Sequence, residues 1–176
     1  MITRQYHDRV FALHDALGIP ASYRDTTPLA LYEEPEELVQ TELDFYGREQ
    51  RLTPSAALAW KAMCSKAALA GIELVMISAF RGIDYQAQLI KRKLERGQNI
   101  EDILCVNAAP GYSEHHTGRA IDIASLDCPK LEEEFECTAA FAWLQANAAQ
   151  FGFSMSFGRD NPCGIIYEPW HWCYTA

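Results

Sequence analysis

Residues 113–122 read Ser113-Glu-His-His-Thr-Gly-Arg-Ala-Ile-Asp122, a polar loop that runs into an alternating strand. Side chains alternate between the two faces of a strand, so the two isoleucines beside Asp122 point away from its carboxylate. We expect the isoleucines to enter the core and the carboxylate to face a cleft. Gly118 permits the tight turn that would fold His115 back towards Asp122.

Two histidines and a carboxylate within ten residues favour a metal site. Zinc binds imidazole nitrogen and carboxylate oxygen, and a catalytic zinc keeps three protein ligands and one water. His115 and Asp122 are the candidate ligands in this stretch, and His116 competes with His115. The alternative is a polar loop followed by an unrelated strand carboxylate.

A second cluster reads Tyr167-Glu-Pro-Trp-His-Trp172. Glu168 lies three residues before His171, which is a spacing that can place a general base beside a metal ligand. Pro169 favours an extended backbone at Glu168 and so aims the carboxylate away from the imidazole. The alternative is an aromatic core strand that contains a hydrogen-bonded histidine.

A third cluster, Ser78-Ala-Phe-Arg-Gly82, lies at the end of an apolar run that predicts a buried strand. Arg81 keeps its charge at all working pH values and can bind a carboxylate or a developing oxyanion. Gln86 follows about one helical turn later and can support the same pocket. A surface salt bridge for Arg81 and an exposed helix position for Gln86 are the alternatives.

The remaining periodicity predicts an α+β fold, a single domain whose small, mostly antiparallel sheet is flanked by helices. The predicted helices span residues 3–17, 36–45, 54–70, 84–96 and 137–151. The predicted strands span residues 72–80, 119–124, 153–157 and 165–168, the last two as a hairpin. His7 and His14 share a face of the first helix, where we expect both to be exposed.

Composition excludes several classes of protein. A chain of 176 residues with net charge −9 argues against a nucleic-acid partner, because phosphate binding needs a basic surface. No apolar run is long enough for a membrane span, and the acidic residues between 33 and 49 predict a solvated surface. The six cysteines form no C-x-x-C pair. The polar opening is unlike a signal peptide and predicts a cytoplasmic protein, or a periplasmic or secreted one if a signal was removed.

Together the three clusters resemble the zinc D-alanyl-D-alanine carboxypeptidases, the VanY-like family with the hedgehog/DD-peptidase fold. The family pattern S-x-H-x-x-G-x-A-x-D is matched by Ser113, His115, Gly118, Ala120 and Asp122. The pattern E-x-x-H is matched by Glu168 and His171. The pattern S-x-x-R-x-x-x-x-Q is matched by Ser78, Arg81 and Gln86. The resemblance covers residues 53–176, which we predict to be the peptidase domain. Residues 1–52 match no family and are predicted to be an N-terminal extension packed on the core.

The resemblance implies a role for each matched side chain. His115, Asp122 and His171 would bind Zn²⁺, Glu168 would be the general base, and Arg81 would stabilise charge. Ser113 and Gln86 would help to hold the substrate, a peptidoglycan stem peptide or muropeptide that contains D-Ala.

The sequence is also compatible with other activities. L,D-carboxypeptidase and D,D-dipeptidase activity on muropeptides use the same zinc chemistry as D-alanyl-D-alanine carboxypeptidase. A non-catalytic metal-binding or cell-wall-binding module of the same fold is the alternative from another class. A serine or cysteine hydrolase is disfavoured because the chain lacks a G-x-S-x-G elbow.

Overall fold

A computed structural model describes residues 2–176. Its helices are α1 (Arg4–Leu17), α2 (Tyr23–Thr26), α3 (Pro54–Leu69), α4 (Ile83–Glu95), α5 (Ile100–Val106) and α6 (Ala139–Asn147). Its strands are β1 (Val39–Leu43), β2 (Glu49–Leu52), β3 (Val75–Ser78), β4 (Ala120–Ala124), β5 (Phe153–Met155) and β6 (His171–Tyr174). Short 3₁₀ turns occupy Glu114–Thr117, Glu133–Cys137 and Ala148–Phe151.

The central sheet has the strand order β3-β4-β6-β5, and each neighbouring pair is antiparallel. In this register Asp122 on β4 lies directly opposite His171 on β6, and Ser78 on β3 lies on the other side of Asp122. Strands β1 and β2 form a separate hairpin. The predicted α+β fold with a small antiparallel sheet is therefore confirmed.

Two apolar cores lie in the fold. The first packs α3 and α6 against the sheet and includes Trp60, Ile121 and Leu144. The second joins α1 to α4 and α5 and includes Val10 and Ile90. Burial of such side chains is the main favourable contribution to folding. The amphipathic α1 follows from its sequence, with Thr3 accepting a hydrogen bond from the backbone N–H of Tyr6 at its start and a left-handed Gly18 at its end.

The segment before residue 53 packs against the loop that carries the histidines. Gly111 has φ of +88°, and a Cβ atom there would lie 2.8 Å from side-chain carbons of both Val10 and Leu31. Gly118 has φ of +64°, and a Cβ atom there would lie 2.6 Å from Leu38 Cδ2. Both ends of the loop are therefore held by close contacts that glycine alone permits.

Two of the predicted elements are wrong. Residues 36–45 contain β1 rather than a helix, because this segment pairs with β2 and buries part of its surface against α3. Residues 165–168 are not a strand, and β5 pairs instead with β6. The segment 165–168 bonds elsewhere, with Ile166 N–H donating to the Cys105 carbonyl and Glu168 N–H donating to the Phe157 carbonyl.

Three further differences concern burial and extent. Helices α2 and α5 and strands β2 and β6 were not predicted. His14 is buried rather than exposed, and its Nε2 lies 2.8 Å from the Pro110 carbonyl oxygen. Asp44, expected on a solvated surface, is buried and accepts hydrogen bonds from Arg48 and Gln50.

All six cysteines are free thiols. No helix within residues 2–176 is long and apolar enough to cross a membrane.

Candidate metal centre

Three different elements bring the candidate ligands together. His115 lies in the 3₁₀ turn that the left-handed Gly118 ends. Asp122 is the middle residue of β4, and His171 is the first residue of β6. All three side chains are buried.

The ligand atoms of these three residues all lie within 4.8 Å of one another. Asp122 Oδ1 is 3.2 Å from His115 Nε2 and 3.2 Å from His171 Nδ1. Ligands bound tetrahedrally to zinc at about 2.0–2.1 Å would be about 3.3 Å apart. The spacing and the donor types therefore fit a zinc ion, and the sheet and the loop hold the donors in place.

The outward-facing nitrogens of both imidazoles have partners of their own. His115 Nδ1 lies 2.6 Å from the Ala79 carbonyl oxygen, and His171 Nε2 lies 2.8 Å from Glu114 Oε2. Glu114 also accepts a hydrogen bond of 2.6 Å from the Ser156 hydroxyl. Such partners fix the ring orientation of metal-binding histidines, so each ring directs its other nitrogen towards Asp122.

Burial and neighbouring charges shift the pKa values of the centre. Burial lowers the pKa of His115 to about 4, so its imidazole is neutral at neutral pH, as a metal ligand must be. Burial opposes ionisation of Asp122, but the nearby His115, His171 and Arg81 hold its pKa well below its usual range. Burial would also lower the pKa of His171, but hydrogen bonds to the carboxylates of Asp122 and Glu114 raise it to about 10, so a bound metal would have to displace the proton from this imidazole.

Two charged side chains flank the three candidate ligands. Arg81 Nη2 lies 3.9 Å from Asp122 Oδ2, and its backbone N–H donates to the His115 carbonyl. Glu168 Oε2 lies 3.9 Å from His171 Nδ1. Burial raises the pKa of Glu168 to about 7, which suits a group that must exchange a proton near neutral pH.

The other predicted residues lie in or beside the same cavity. Ser113 and Gln86 are both buried and line it. The Gln86 amide donates to the Ala108 carbonyl at 2.8 Å, and its Oε1 has no hydrogen-bond partner within residues 2–176. His116 is not among the converging ligand atoms. Its Nε2 accepts from the Gly111 N–H at 3.0 Å and its Nδ1 bonds the Arg81 carbonyl, so both ring nitrogens are occupied by backbone.

The cavity over these residues has a volume of about 370 Å³. Sequence reasoning missed several of its side chains. Glu114 lies inside the quoted loop, but its role as a partner of His171 depends on the register of β6. The Phe157 ring centre lies 4.7 Å from that of His171, and Lys93 and Asn107 also line the cavity. No motif pointed to these last three.

The fold and the candidate metal centre are those of a class of proteins that have the hedgehog/DD-peptidase fold and a His–Asp–His group in the cleft. The VanY family, described as D-alanyl-D-alanine carboxypeptidase, matches residues 49–176. The chain belongs to this family.

Individual relatives agree with this assignment. The putative carboxypeptidase YodJ of Bacillus subtilis is 33% identical over 150 residues, which cover 81% of this chain and 55% of the relative. The solved LdcB LD-carboxypeptidase is 32% identical with a TM-score of 0.72, covering 80% of this chain and 69% of its own. A D,D-pentapeptidase VanY from a VanB-type resistance cassette, solved in complex with Zn(II), is 22% identical with a TM-score of 0.63. That match covers 82% of this chain and 83% of the VanY chain, and at this identity it shows a shared fold.

The chain spans about half the length of YodJ.

Proposed function

We propose that this chain is a zinc-dependent carboxypeptidase that removes a terminal D-alanine from peptidoglycan peptides. The observation that supports this most directly is the convergence of His115, Asp122 and His171 beside Glu168 in a cavity. Membership of the VanY family supports the same reaction.

Zinc is the ion that suits the three candidate ligands. Two imidazole nitrogens and one carboxylate oxygen match a catalytic zinc site that keeps one position open. Hard ions such as Mg²⁺ and Ca²⁺ prefer oxygen ligands, so a site with two imidazoles disfavours them. Zinc held by these three side chains would supply a Lewis acid for a water molecule and for the scissile carbonyl.

The remaining steps, proton transfer, charge stabilisation and positioning, are carried out by side chains of the protein. Glu168 accepts a proton from the attacking water and passes it to the leaving amine, and its raised pKa of about 7 suits both transfers. Arg81 donates to the oxygen on which negative charge develops. Glu114 and the Ala79 carbonyl hold the two imidazoles in position. Ser113 and Gln86 contribute polar contacts to the substrate.

A second candidate substrate is a tetrapeptide that ends in a single D-alanine, as in an L,D-carboxypeptidase. The specific observation in its favour is the likeness to the LdcB LD-carboxypeptidase, at 32% identity and a TM-score of 0.72. The two reactions share one zinc chemistry and differ in the bond that the cavity presents to it.

We also propose that residues 53–176 are the peptidase domain and that residues 1–52 are an extension that braces it. The close approach of Val10, Leu31 and Leu38 to the glycines at both ends of the histidine loop supports the bracing role.

The decisive experiment is mass spectrometry of defined pentapeptide and tetrapeptide muropeptides incubated with zinc-loaded protein, with and without a chelator. We expect the loss of one alanine that the chelator abolishes and that added zinc restores. The peptide that reacts identifies the bond. Intact peptides under all conditions, with zinc bound, would instead favour a non-catalytic binding module of the same fold.

A further inference from the structure

One cationic side chain in the cavity has no part in the proposed chemistry. Lys93 lines the cavity together with Arg81, Glu168 and His171. Its ammonium donates a hydrogen bond to Asn107 Oδ1, which fixes it at the cavity wall. Lys93 is only partly exposed, whereas Lys91, which lies on a different face of the same helix, is exposed.

Helix α4 sets the position of Lys93 relative to the metal centre. The helix begins at Ile83, directly after Arg81 and Gly82, so its first turn is at the metal end of the cavity. Gln86 and Lys93 are seven residues apart, which places them on one face and about 10.5 Å apart along the helix axis. Side chains tilt towards the N-terminus of a helix, so the Lys93 stem leans back towards the metal end.

The carboxylates of Glu114, Asp122 and Glu168 also line the cavity, so an anionic group of the substrate is favoured only close to a cationic side chain. Among the described residues that line the cavity, the cationic side chains of arginine and lysine are those of Arg81 and Lys93. Arg81 lies 3.9 Å from the Asp122 carboxylate, close to where the reaction occurs. Burial and the charge of Arg81 lower the pKa of Lys93 while the nearby Glu168 raises it, so a further negative group beside the ammonium would stabilise its charged form.

A carboxypeptidase must distinguish a free chain end from an internal peptide bond. The free end carries a carboxylate one residue beyond the scissile bond, and a buried or half-buried cation is the usual partner for such a group. Asn107, through its side-chain amide N–H groups, can donate to the same carboxylate while its Oδ1 holds Lys93.

We propose that Lys93, held by Asn107, binds the free terminal carboxylate of the residue that is removed. This inference rests on the proposed carboxypeptidase function and adds the group that makes it an exopeptidase. Lys93 is thus a specificity-determining residue, and Arg81 remains free to stabilise the transition state.

The test compares two substrates, an N-acetylated peptide that ends in D-Ala-D-Ala and the same peptide with a C-terminal amide. For the acid, Lys93→Met should lower kcat/KM by about 10–100-fold, mostly through KM, because a charge-assisted hydrogen bond is lost. For the amide, the change should stay within about twofold, because the amide never had that bond. Lys93→Arg should restore most of the acid rate.

Lys91→Met is the matched control, since Lys91 is exposed on the same helix and pairs with Glu95. It should change neither substrate. Equal losses on the acid and the amide with Lys93→Met, or no loss on either, would overturn the assignment.

A binding measurement separates this inference from the proposed function. Calorimetry with zinc-loaded Glu168→Gln protein compares N-acetyl-D-alanyl-D-alanine with its amide, and no turnover is needed. Tighter binding of the acid that disappears when Lys93→Met is added supports the inference, even if wild-type protein hydrolyses neither peptide and the proposed function fails. A preference for the acid that survives Lys93→Met, or no preference at all, refutes it.

Discussion

Replacing Gly111 by alanine tests whether the N-terminal segment packs tightly against the loop that carries His115. The residue has φ of +88°, and the new Cβ would lie 2.8 Å from both Leu31 Cδ1 and Val10 Cγ1. A left-handed backbone costs an alanine roughly 1–2 kcal/mol. Overpacking adds about 1–3 kcal/mol, because Val10 is fully buried and its β-branched side chain cannot rotate away easily.

Gly97→Ala is the control that isolates the packing contribution. Gly97 has a similar φ of +83°, but no atom lies within 4 Å of its would-be Cβ. Gly111→Ala should therefore lower the free energy of unfolding by about 1–3 kcal/mol more than Gly97→Ala does. For a chain of this size the difference corresponds to roughly 2–12 °C in Tm, measured by calorimetry or circular dichroism. Equal losses of Tm in the two variants would show that the N-terminal segment does not press on this loop.

Three further predictions concern the metal centre. Glu168→Gln should keep one equivalent of zinc but lower the peptidase rate by roughly 10²–10⁴-fold, and a rate near that of wild type would remove Glu168 as the base. His115→Ala should reduce bound zinc measured by atomic absorption, whereas a full equivalent would point to His116 as the ligand. Glu114→Ala should weaken zinc binding about 10–100-fold in a chelator competition, because His171 loses its partner, while the exposed Glu36→Ala should have no effect.

The sequence was most informative where local chemistry determines local structure. The turn at Gly118 and the alternation around Asp122 are local properties, and the structure has both. Helix α1 was equally predictable, because Thr3 and Gly18 mark its two ends. The three motifs, taken together, indicated the family that the comparison with residues 49–176 shows.

The errors occurred where long-range pairing decides the structure. The segment 165–168 has the composition of a strand, but β5 pairs with β6, and no local signal selects between these partners. The segment 36–45 contains β1 because β2 is available to pair with it. Periodicity within a short window cannot report a partner elsewhere in the chain.

Two residues that line the cavity were not predicted from the sequence for the same reason. Glu114 and Lys93 acquire their importance from residues 57 and 14 positions away, His171 and Asn107. Neither glutamate nor lysine stands out in a helical or loop sequence, where each is usually a solvated side chain. Only the assembled fold shows that both face one cleft.

The direct cross-strand pairing of Asp122 with His171 has a consequence for how the protein handles its ion. Two of the three candidate donors are neighbours in a hydrogen-bonded ladder, so backbone pairing brings them together before any cation arrives. The metal site is therefore largely preformed in the apoprotein, in contrast to small zinc modules that are unfolded without their metal. Purified apoprotein should stay folded and accept zinc again, and the same framework should admit other divalent ions for spectroscopic study.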